Sequence, residues 1–137
     1  MILLIETATR RYLGRQSDVD AIGAPGEDDR DARGRPILRR QLGPLLDPDD
    51  PPAVGRLHAL RIILRRRTVE LLVSRVDLFP EAPPIKPLVP FLAVRLQLPW
   101  VLGVALIADQ PVVVLDLRRL AADLALGLQL AHIRDTQ

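Results

Sequence analysis

Two short apolar runs separated by a single turn constrain the fold of this chain more than any other feature. They span residues 101–107 and 112–117, and an Ala-Asp-Gln-Pro segment at residues 108–111 interrupts them. Apolar runs of this length bounded by turn residues are typical of buried strands. Three successive valines in the second run favour a strand, because β-branched side chains lose rotamer freedom in a helix and pack well on a pleat. The pattern predicts a buried β-hairpin.

The same hairpin predicts where the core lies. Because strands covered on both faces read as continuous apolar runs, we expect no strict alternation of burial here. Pro111 has no N–H group to donate to a ladder, so we expect it at the first residue of the second strand. Five side chains are predicted to be mainly buried, namely Val104, Leu106, Val113, Leu115 and Leu117.

Shorter patterns predict the remaining strands and helices. The predicted strands are residues 1–5 paired with 10–13, residues 57–64 paired with 69–76 around a turn of three arginines, and residues 91–98. A short helical turn is expected at residues 42–46. A helix is expected at residues 120–133, where Leu120, Leu124 and Leu128 share one face at helical spacing. We expect that face to cover apolar sheet surface.

Three segments are expected to lack regular structure. Residues 23–36 contain no large aliphatic side chain, so they cannot bury apolar area to offset the entropy lost when they become ordered. We therefore expect a mobile loop here, and apolar residues return only at Ile37. Residues 47–52 read Asp-Pro-Asp-Asp-Pro-Pro, which ends regular structure. Five prolines between residues 80 and 90 favour an extended arm over a helix.

A faint internal repeat arranges these elements in two similar halves. The segment that starts at Pro36 has the same apolar pattern as the segment that starts at Pro111, and each half opens with a hairpin and closes with a strand led by proline. At 137 residues the chain is expected to form a single domain. Its lobe-contributing halves are predicted at residues 1–46 and 57–120, with the C-terminal helix at residues 120–133.

The composition indicates the kind of core and excludes several kinds of site. Apolar residues make up 48% of the chain and aromatic residues only 3%, so the core is expected to be aliphatic. Without cysteine there is no disulfide framework and no thiolate metal site. The longest uncharged stretch, residues 96–108, is too short to span a bilayer, and Glu6 directly follows the apolar start. We expect a soluble, cytoplasmic protein without membrane insertion.

No catalytic residue, cofactor site or metal site is predicted. Neither His58 nor His132 has a cysteine or a second histidine nearby in the sequence, and neither serine lies in a nucleophile elbow. Residues 29–34 resemble half of a calcium loop, but Arg33 takes its third acidic position and Arg40 falls where the bidentate glutamate should be. The chain is therefore expected not to be an enzyme.

Three passages, at residues 9–22, 31–38 and 100–117, together resemble the CheW family, the coupling proteins of bacterial chemotaxis. Residues 9–22 are similar to the family's opening hairpin, residues 31–38 to its Asn-Leu-Arg-Gly segment, and residues 100–117 to its closing pattern that ends in Leu-Asp-Leu. The resemblance covers most of the chain in the same order. It implies a mainly β fold, in which two small SH3-like β-barrel lobes share an aliphatic core, with a C-terminal helix.

The resemblance also implies a non-enzymatic adaptor that couples chemoreceptors to the regulatory domain of a CheA-like histidine kinase. The implied partner-binding residues are Asp31, Arg33 and Gly34, of which Arg33 and Gly34 match the Asn-Leu-Arg-Gly motif residue by residue. Gly34 is expected to permit a turn that presents Arg33 to a partner carboxylate. Two aspartates and an arginine at residues 28–30 stand where the family has an apolar strand, so the first lobe is expected to lack one strand.

A basic β-barrel protein that binds nucleic acid is one alternative, because the pI is about 9.9. The net charge, however, is only +2, and all but one of the 19 basic residues are arginines, whose high pKa raises the pI. Proteins that bind single strands also stack bases on exposed aromatic side chains, which are scarce here. We therefore expect no nucleic-acid partner, and we interpret the arginines at residues 65–67 as a hairpin turn.

The other alternative is an oligomerisation subunit with the same fold and a different partner. A lobe that lacks one strand leaves backbone donors and acceptors open at a sheet edge, and exposed edges pair readily. We therefore expect this chain to self-associate.

Overall fold

A computed structural model describes residues 1–80, 83–86 and 99–135, the side chains of residues 128–135 excepted. Most elements in this part of the chain are strands, and they form two sheets. The strands are β1 (Ile2–Glu6), β2 (Arg11–Arg15), β3 (Ala21–Gly23), β4 (Ile37–Gln41), β5 (His58–Ile63), β6 (Thr68–Val73), β7 (Arg75–Phe79), β8 (Val101–Ile107) and β9 (Gln110–Leu115). The described α-helices are α1 (Leu42–Leu46) and α2 (Leu117–Asp135).

The five-stranded sheet contains the first and the last hairpins of the described chain. Its strand order is β7-β1-β2-β9-β8. The antiparallel hairpins β1–β2 and β8–β9 confirm two predictions, and a parallel pairing of β2 with β9 joins them. Ala108 and Asp109 form the β8–β9 turn with φ angles of 49° and 63°. These positive values match the twist of a two-residue hairpin.

Pro111 is the second residue of β9, after Gln110, so the prediction that it leads the strand is wrong by one residue. The ladder between β9 and β2 begins only where Val113 pairs with Tyr12. On the edge of β9 that faces β2, no described strand therefore needs a hydrogen bond from the backbone of residue 111, and proline is tolerated there.

Burial alternates along most of the β8–β9 hairpin, so the expectation of continuous burial on both faces is wrong. Leu115 and Leu117 are buried as predicted, whereas Val104 and Val113 are only half-buried. Leu106 is 53% exposed, which contradicts its predicted burial. The physical reason is its position, because Leu106 lies beside the turn on β8, the last of the described strands in this sheet, opposite the exposed Pro111.

The four-stranded sheet has the order β3-β5-β6-β4. β5 and β6 form the predicted antiparallel hairpin, and the three arginines at residues 65–67 lie in its turn. β3 pairs with β5 in antiparallel orientation, and β4 pairs with β6 in parallel orientation. Each sheet therefore contains strands from both of the segments 1–46 and 57–120.

The two sheets share one aliphatic core. Its buried members come from both sheets and from α2, and include Leu3, Ile5, Leu38, Leu60, Leu71, Leu115, Leu117 and Leu120. A smaller cluster covers the other face of the five-stranded sheet and consists of Ile2, Leu4, Leu13, Ala105, Val112 and Val114. The protein is mainly β, with two small lobes that share an aliphatic core and a C-terminal helix, as predicted.

Both helices lie where they are predicted, although α2 begins at Leu117 rather than at residue 120. The Asp116 carboxylate explains this start, because it accepts a hydrogen bond from the Arg119 N–H group at 3.0 Å and so caps the helix. No helix among the described residues is long and apolar enough to cross a membrane. The strand predicted at residues 91–98 and most of the proline-rich arm lie outside the described residues.

Candidate protein-interaction site

The three predicted site residues lie together in one tight turn that precedes β4. Its two sides are held by a bridge between Arg30 and Pro36 and by a hydrogen bond from the Asp31 N–H group to the Arg35 carbonyl at 2.9 Å. Gly34 closes the turn with a φ of +78°, in the region that other residues rarely adopt. The sequence-based expectation of a glycine-dependent turn at this position is therefore confirmed.

The Asp31 carboxylate orders this turn from within. One oxygen accepts the N–H groups of Arg33 and Arg35, and the other accepts the Arg35 Nε–H and the Thr68 hydroxyl, each at 2.9 Å. Burial by itself raises the pKa of Asp31, but the hydrogen bonds from Arg35, Thr68 and Arg33 outweigh this effect and lower the pKa to about 2. Since its side chain is only 7% exposed, Asp31 holds the turn together rather than facing outward.

Arg33 and Gly34 lie at the exposed end of the turn. The Arg33 backbone is fixed by its hydrogen bond to Asp31, whereas its guanidinium forms no salt bridge with any other described residue. A Cβ atom at Gly34 would meet nothing within 4 Å, so glycine is needed there for its φ angle and not for space. The turn therefore presents the unpaired guanidinium of Arg33 on an ordered backbone.

The β5–β6 hairpin anchors this turn. Besides the Thr68 hydroxyl, the Thr68 N–H group donates to the Pro36 carbonyl at 3.0 Å, and Arg35 Nη1 donates to the Leu64 carbonyl at 3.1 Å. The Arg33 turn consequently lies beside the turn of arginines at residues 65–67. Sequence reasoning missed Thr68, since nothing in the local pattern links it to a residue so far away along the chain.

A cluster of buried charged side chains lies on the four-stranded sheet. Glu70 is 1% exposed, and its carboxylate lies 3.0 Å from Arg61 Nη2 and 3.3 Å from Arg39 Nη2. These three residues are opposite one another on adjacent strands. Gly26 covers the cluster, since its N–H group donates to Glu70 at 3.4 Å and an added Cβ would come within 2.8 Å of Arg39 Nη2.

Segment 23–36 thus forms two hydrogen bonds that involve a carboxylate with the four-stranded sheet. The Gly26 N–H group donates to the Glu70 carboxylate, and the Asp31 carboxylate accepts from the Thr68 hydroxyl. Apart from Gly23, the last residue of β3, this segment belongs to neither β3 nor β4 and forms no strand of its own, as predicted. Its mobility stays a prediction. Sequence reasoning missed Glu70, which interrupts an otherwise apolar strand, and that interruption is the signal that points to a buried ion pair.

A groove of about 550 Å³ lies between the β1–β2 turn, the end of α1 and the β8–β9 hairpin. Tyr12 and Leu115 line it, with Arg10 and Asp47 at its polar side. Burial raises the pKa of the Tyr12 hydroxyl, and the negative charges of Asp50 and Asp47 raise it further.

The acidic segment 47–52 has a structural function beside this groove. Asp50 is buried and accepts hydrogen bonds from the Thr7 hydroxyl and from both the hydroxyl and the N–H group of Thr9, at 2.8 Å and 3.1 Å for Thr9. Arg10 pairs with Asp47 at 3.0 Å. These contacts fasten the segment to the β1–β2 turn.

Comparison with known proteins shows a likeness in structure only. No family model matches the sequence, and no curated protein matches it. Among solved structures, the chain is similar to the scaffolding protein TtCheW from Thermoanaerobacter tengcongensis, with a TM-score of 0.56 and 15% sequence identity over 83% of this chain and 82% of that one. The two-sheet architecture and this similarity together show that the chain has a CheW-like fold.

Proposed function

We propose that this protein is a non-enzymatic adaptor that couples chemoreceptors to a CheA-like histidine kinase. One observation carries the proposal. Arg33 lies exposed at the end of a turn whose backbone is ordered by Asp31 and closed by Gly34, on a fold similar to that of a scaffolding protein. A contact residue on a preorganised turn loses little conformational entropy on binding, which favours recognition of a protein partner.

The three residues have different roles in this proposal. Arg33 contacts the partner, because its planar guanidinium can donate two parallel hydrogen bonds to a carboxylate. Asp31 and Gly34 are positioning residues, since Asp31 fixes the backbone of Arg33 and Gly34 supplies the positive φ angle. Asp31 is predicted from the sequence to bind the partner, whereas in this proposal it only supports the turn that presents Arg33.

A pull-down with quantitative binding tests the proposal. The wild-type chain is titrated with the regulatory domain of a CheA-like kinase and with a chemoreceptor tip, both from the genome that encodes this chain. Arg33→Ala is expected to weaken binding by about 2–5 kcal/mol if the contact is desolvated in the complex. Arg56→Ala, which removes an exposed arginine at the far end of β5, is the matched control and is expected to bind like the wild type.

Two results would contradict the proposal. If the wild type binds a partner and Arg33→Ala binds equally well, the assignment of Arg33 is wrong. If the wild type binds neither the kinase domain nor the receptor tip, the adaptor function is wrong, although the fold stands.

An oligomerisation subunit is the second candidate. Within the described residues, β3 and β4 are the outer strands of the four-stranded sheet, and β3 has only three residues. Open edges of this kind can pair with a second chain. Sedimentation velocity over a wide concentration range decides the matter, since a strictly monomeric protein would exclude this candidate.

A further inference from the structure

We propose that the Arg33 turn and the neighbouring turn at residues 65–67 form one binding surface for an acidic segment of a partner protein. We call it the arginine surface and define it as Arg33, Arg65, Arg66 and Arg67. The inference rests on the proposed function in one respect, since Arg33 belongs to both. It goes further because it adds a second turn and gives the partner a chemical class.

The two turns are adjacent because both flanks of one are bonded to the other. Leu64 and Thr68 immediately flank the arginines at residues 65–67. The Leu64 carbonyl accepts from Arg35 Nη1 at 3.1 Å, and the Thr68 hydroxyl donates to Asp31 at 2.9 Å. The β5–β6 turn is itself closed by the Leu64 N–H group, which donates to the Arg67 carbonyl at 2.9 Å. The arginine surface therefore lies on two braced turns.

The charges of the arginine surface are not neutralised within the described residues. Three neighbouring arginines are paired, since Arg35 binds Asp31 and both Arg39 and Arg61 bind Glu70. Arg33, Arg65, Arg66 and Arg67 form no such salt bridge with the described part of the chain. Three of them are exposed and Arg67 is half-buried. Because the carboxylates of Asp31 and Glu70 are already occupied, the surface carries a local excess of positive charge.

Arg30 is left out of this surface for a physical reason. Its Nη1 donates to the Gly34 carbonyl at 2.7 Å, which folds the side chain back onto the turn. The exposed acidic residues 27–29 precede it directly and reduce the positive potential on that side. An acidic partner is therefore expected to approach from the side of the β5–β6 turn.

A protein segment fits this surface better than a nucleic acid does. Arginine forks bind carboxylates with paired hydrogen bonds, so several close together suit a run of Asp or Glu side chains. Proteins that bind single strands also stack bases on aromatic rings. The two turns contain no aromatic residue, and the described aromatic side chains of Tyr12, Phe79 and Trp100 all belong to or adjoin the other sheet.

Fluorescence anisotropy of a labelled polyglutamate peptide tests the inference. The titration is run at low ionic strength and repeated at physiological salt, because exposed charges are screened. The double variant Arg65→Ala/Arg66→Ala is compared with Arg11→Ala/Arg56→Ala, which removes the same net charge elsewhere. We expect the first variant to raise the dissociation constant by between about twofold and thirtyfold. The control is expected to change it by less than about twofold, and thermal melting of both variants confirms that they fold.

Three results would overturn the inference. They are failure of the wild type to bind polyglutamate at low salt, an equal loss of binding in the two double variants, and tighter binding of an oligothymidylate of equal charge. The last result would favour a nucleic-acid partner.

The kinase and receptor pull-down separates this inference from the proposed function. If Arg33→Ala loses those partners while Arg65→Ala/Arg66→Ala keeps them, the adaptor function stands and the extended surface is wrong. If polyglutamate binds as expected but neither partner does, the surface stands and the adaptor function is wrong.

Discussion

The Thr68 hydroxyl donates to the Asp31 carboxylate at 2.9 Å, and through this bond a central strand of the four-stranded sheet holds the turn that carries Arg33. Thr68 is completely buried, so its hydroxyl has no water to bond instead. The backbone order of the Arg33 turn therefore depends on a residue that is remote in the chain.

Replacing Thr68 by valine is expected to loosen the turn without changing the fold. Valine keeps the shape of threonine but leaves the carboxylate with one donor fewer, so amide exchange at residues 33–35 should become faster. Hydrogen–deuterium exchange measures this directly. Thr9→Val is the matched control, since it removes a threonine bond to a different carboxylate, that of Asp50. Unchanged exchange at residues 33–35 in Thr68→Val would contradict the anchoring role.

The pKa of Asp31, lowered to about 2, predicts a definite pH dependence of the turn. Because the folded pKa lies below the unfolded value of about 3.9, the carboxylate stabilises the fold above the unfolded pKa. This contribution is lost as the pH falls through the folded pKa. We expect the Asp31 carboxyl carbon to titrate near pH 2 in carbon-13 NMR. A midpoint for Asp31 near the ordinary value would show that the four hydrogen bonds are absent in solution.

Truncation of Leu115 to alanine is expected to reduce the free energy of unfolding by about 2–5 kcal/mol. Leu115 is 1% exposed in the core that the two sheets share. Leu106→Ala in the same hairpin is the control, and its effect should stay within about 0.5 kcal/mol because that side chain is largely exposed. Urea denaturation compares the two variants, and similar losses would mean that the core is not centred on Leu115.

Glu70→Gln is expected to lower the free energy of unfolding by about 2–4 kcal/mol. Breaking a buried ion pair leaves an uncompensated charge and costs about 3–5 kcal/mol, but Arg61 is 36% exposed, so water solvates part of that charge. Asp77→Asn, in the exposed pair with Arg75, should change stability by no more than about 1 kcal/mol. If chemical denaturation finds the two variants equally stable, the cluster around Glu70 contributes little to the fold.

Gly34→Ala should destabilise the protein by about 1–2 kcal/mol through backbone strain alone. The φ angle of +78° disfavours any residue with a Cβ atom, although there is open space around this position. Gly23→Ala provides the comparison, since that glycine has equal space and no positive φ angle, and it is expected to be nearly neutral. Thermal unfolding of both variants measures the difference, which should vanish if the turn is not formed in solution.

Local chemistry along the sequence determined most of the secondary structure. The valine run at residues 112–114, the turn residues before it and the three arginines at 65–67 predicted hairpins that the structure contains. The turn at Gly34 was also predicted, because the backbone freedom of glycine is a local property. These features depend on backbone preferences and on side-chain periodicity, both of which are local.

Only the tertiary structure decided which of these elements are neighbours. The parallel pairing of residues 12–14 with 113–115 and the bond from Thr68 to Asp31 join residues that are far apart in the chain. The exposure of Leu106, which the continuous apolar pattern predicts to be buried, likewise follows from its position beside the turn on the last of the described strands in its sheet. An apolar pattern indicates that a segment can be buried. Whether it is buried depends on which distant segments of the chain pack against it.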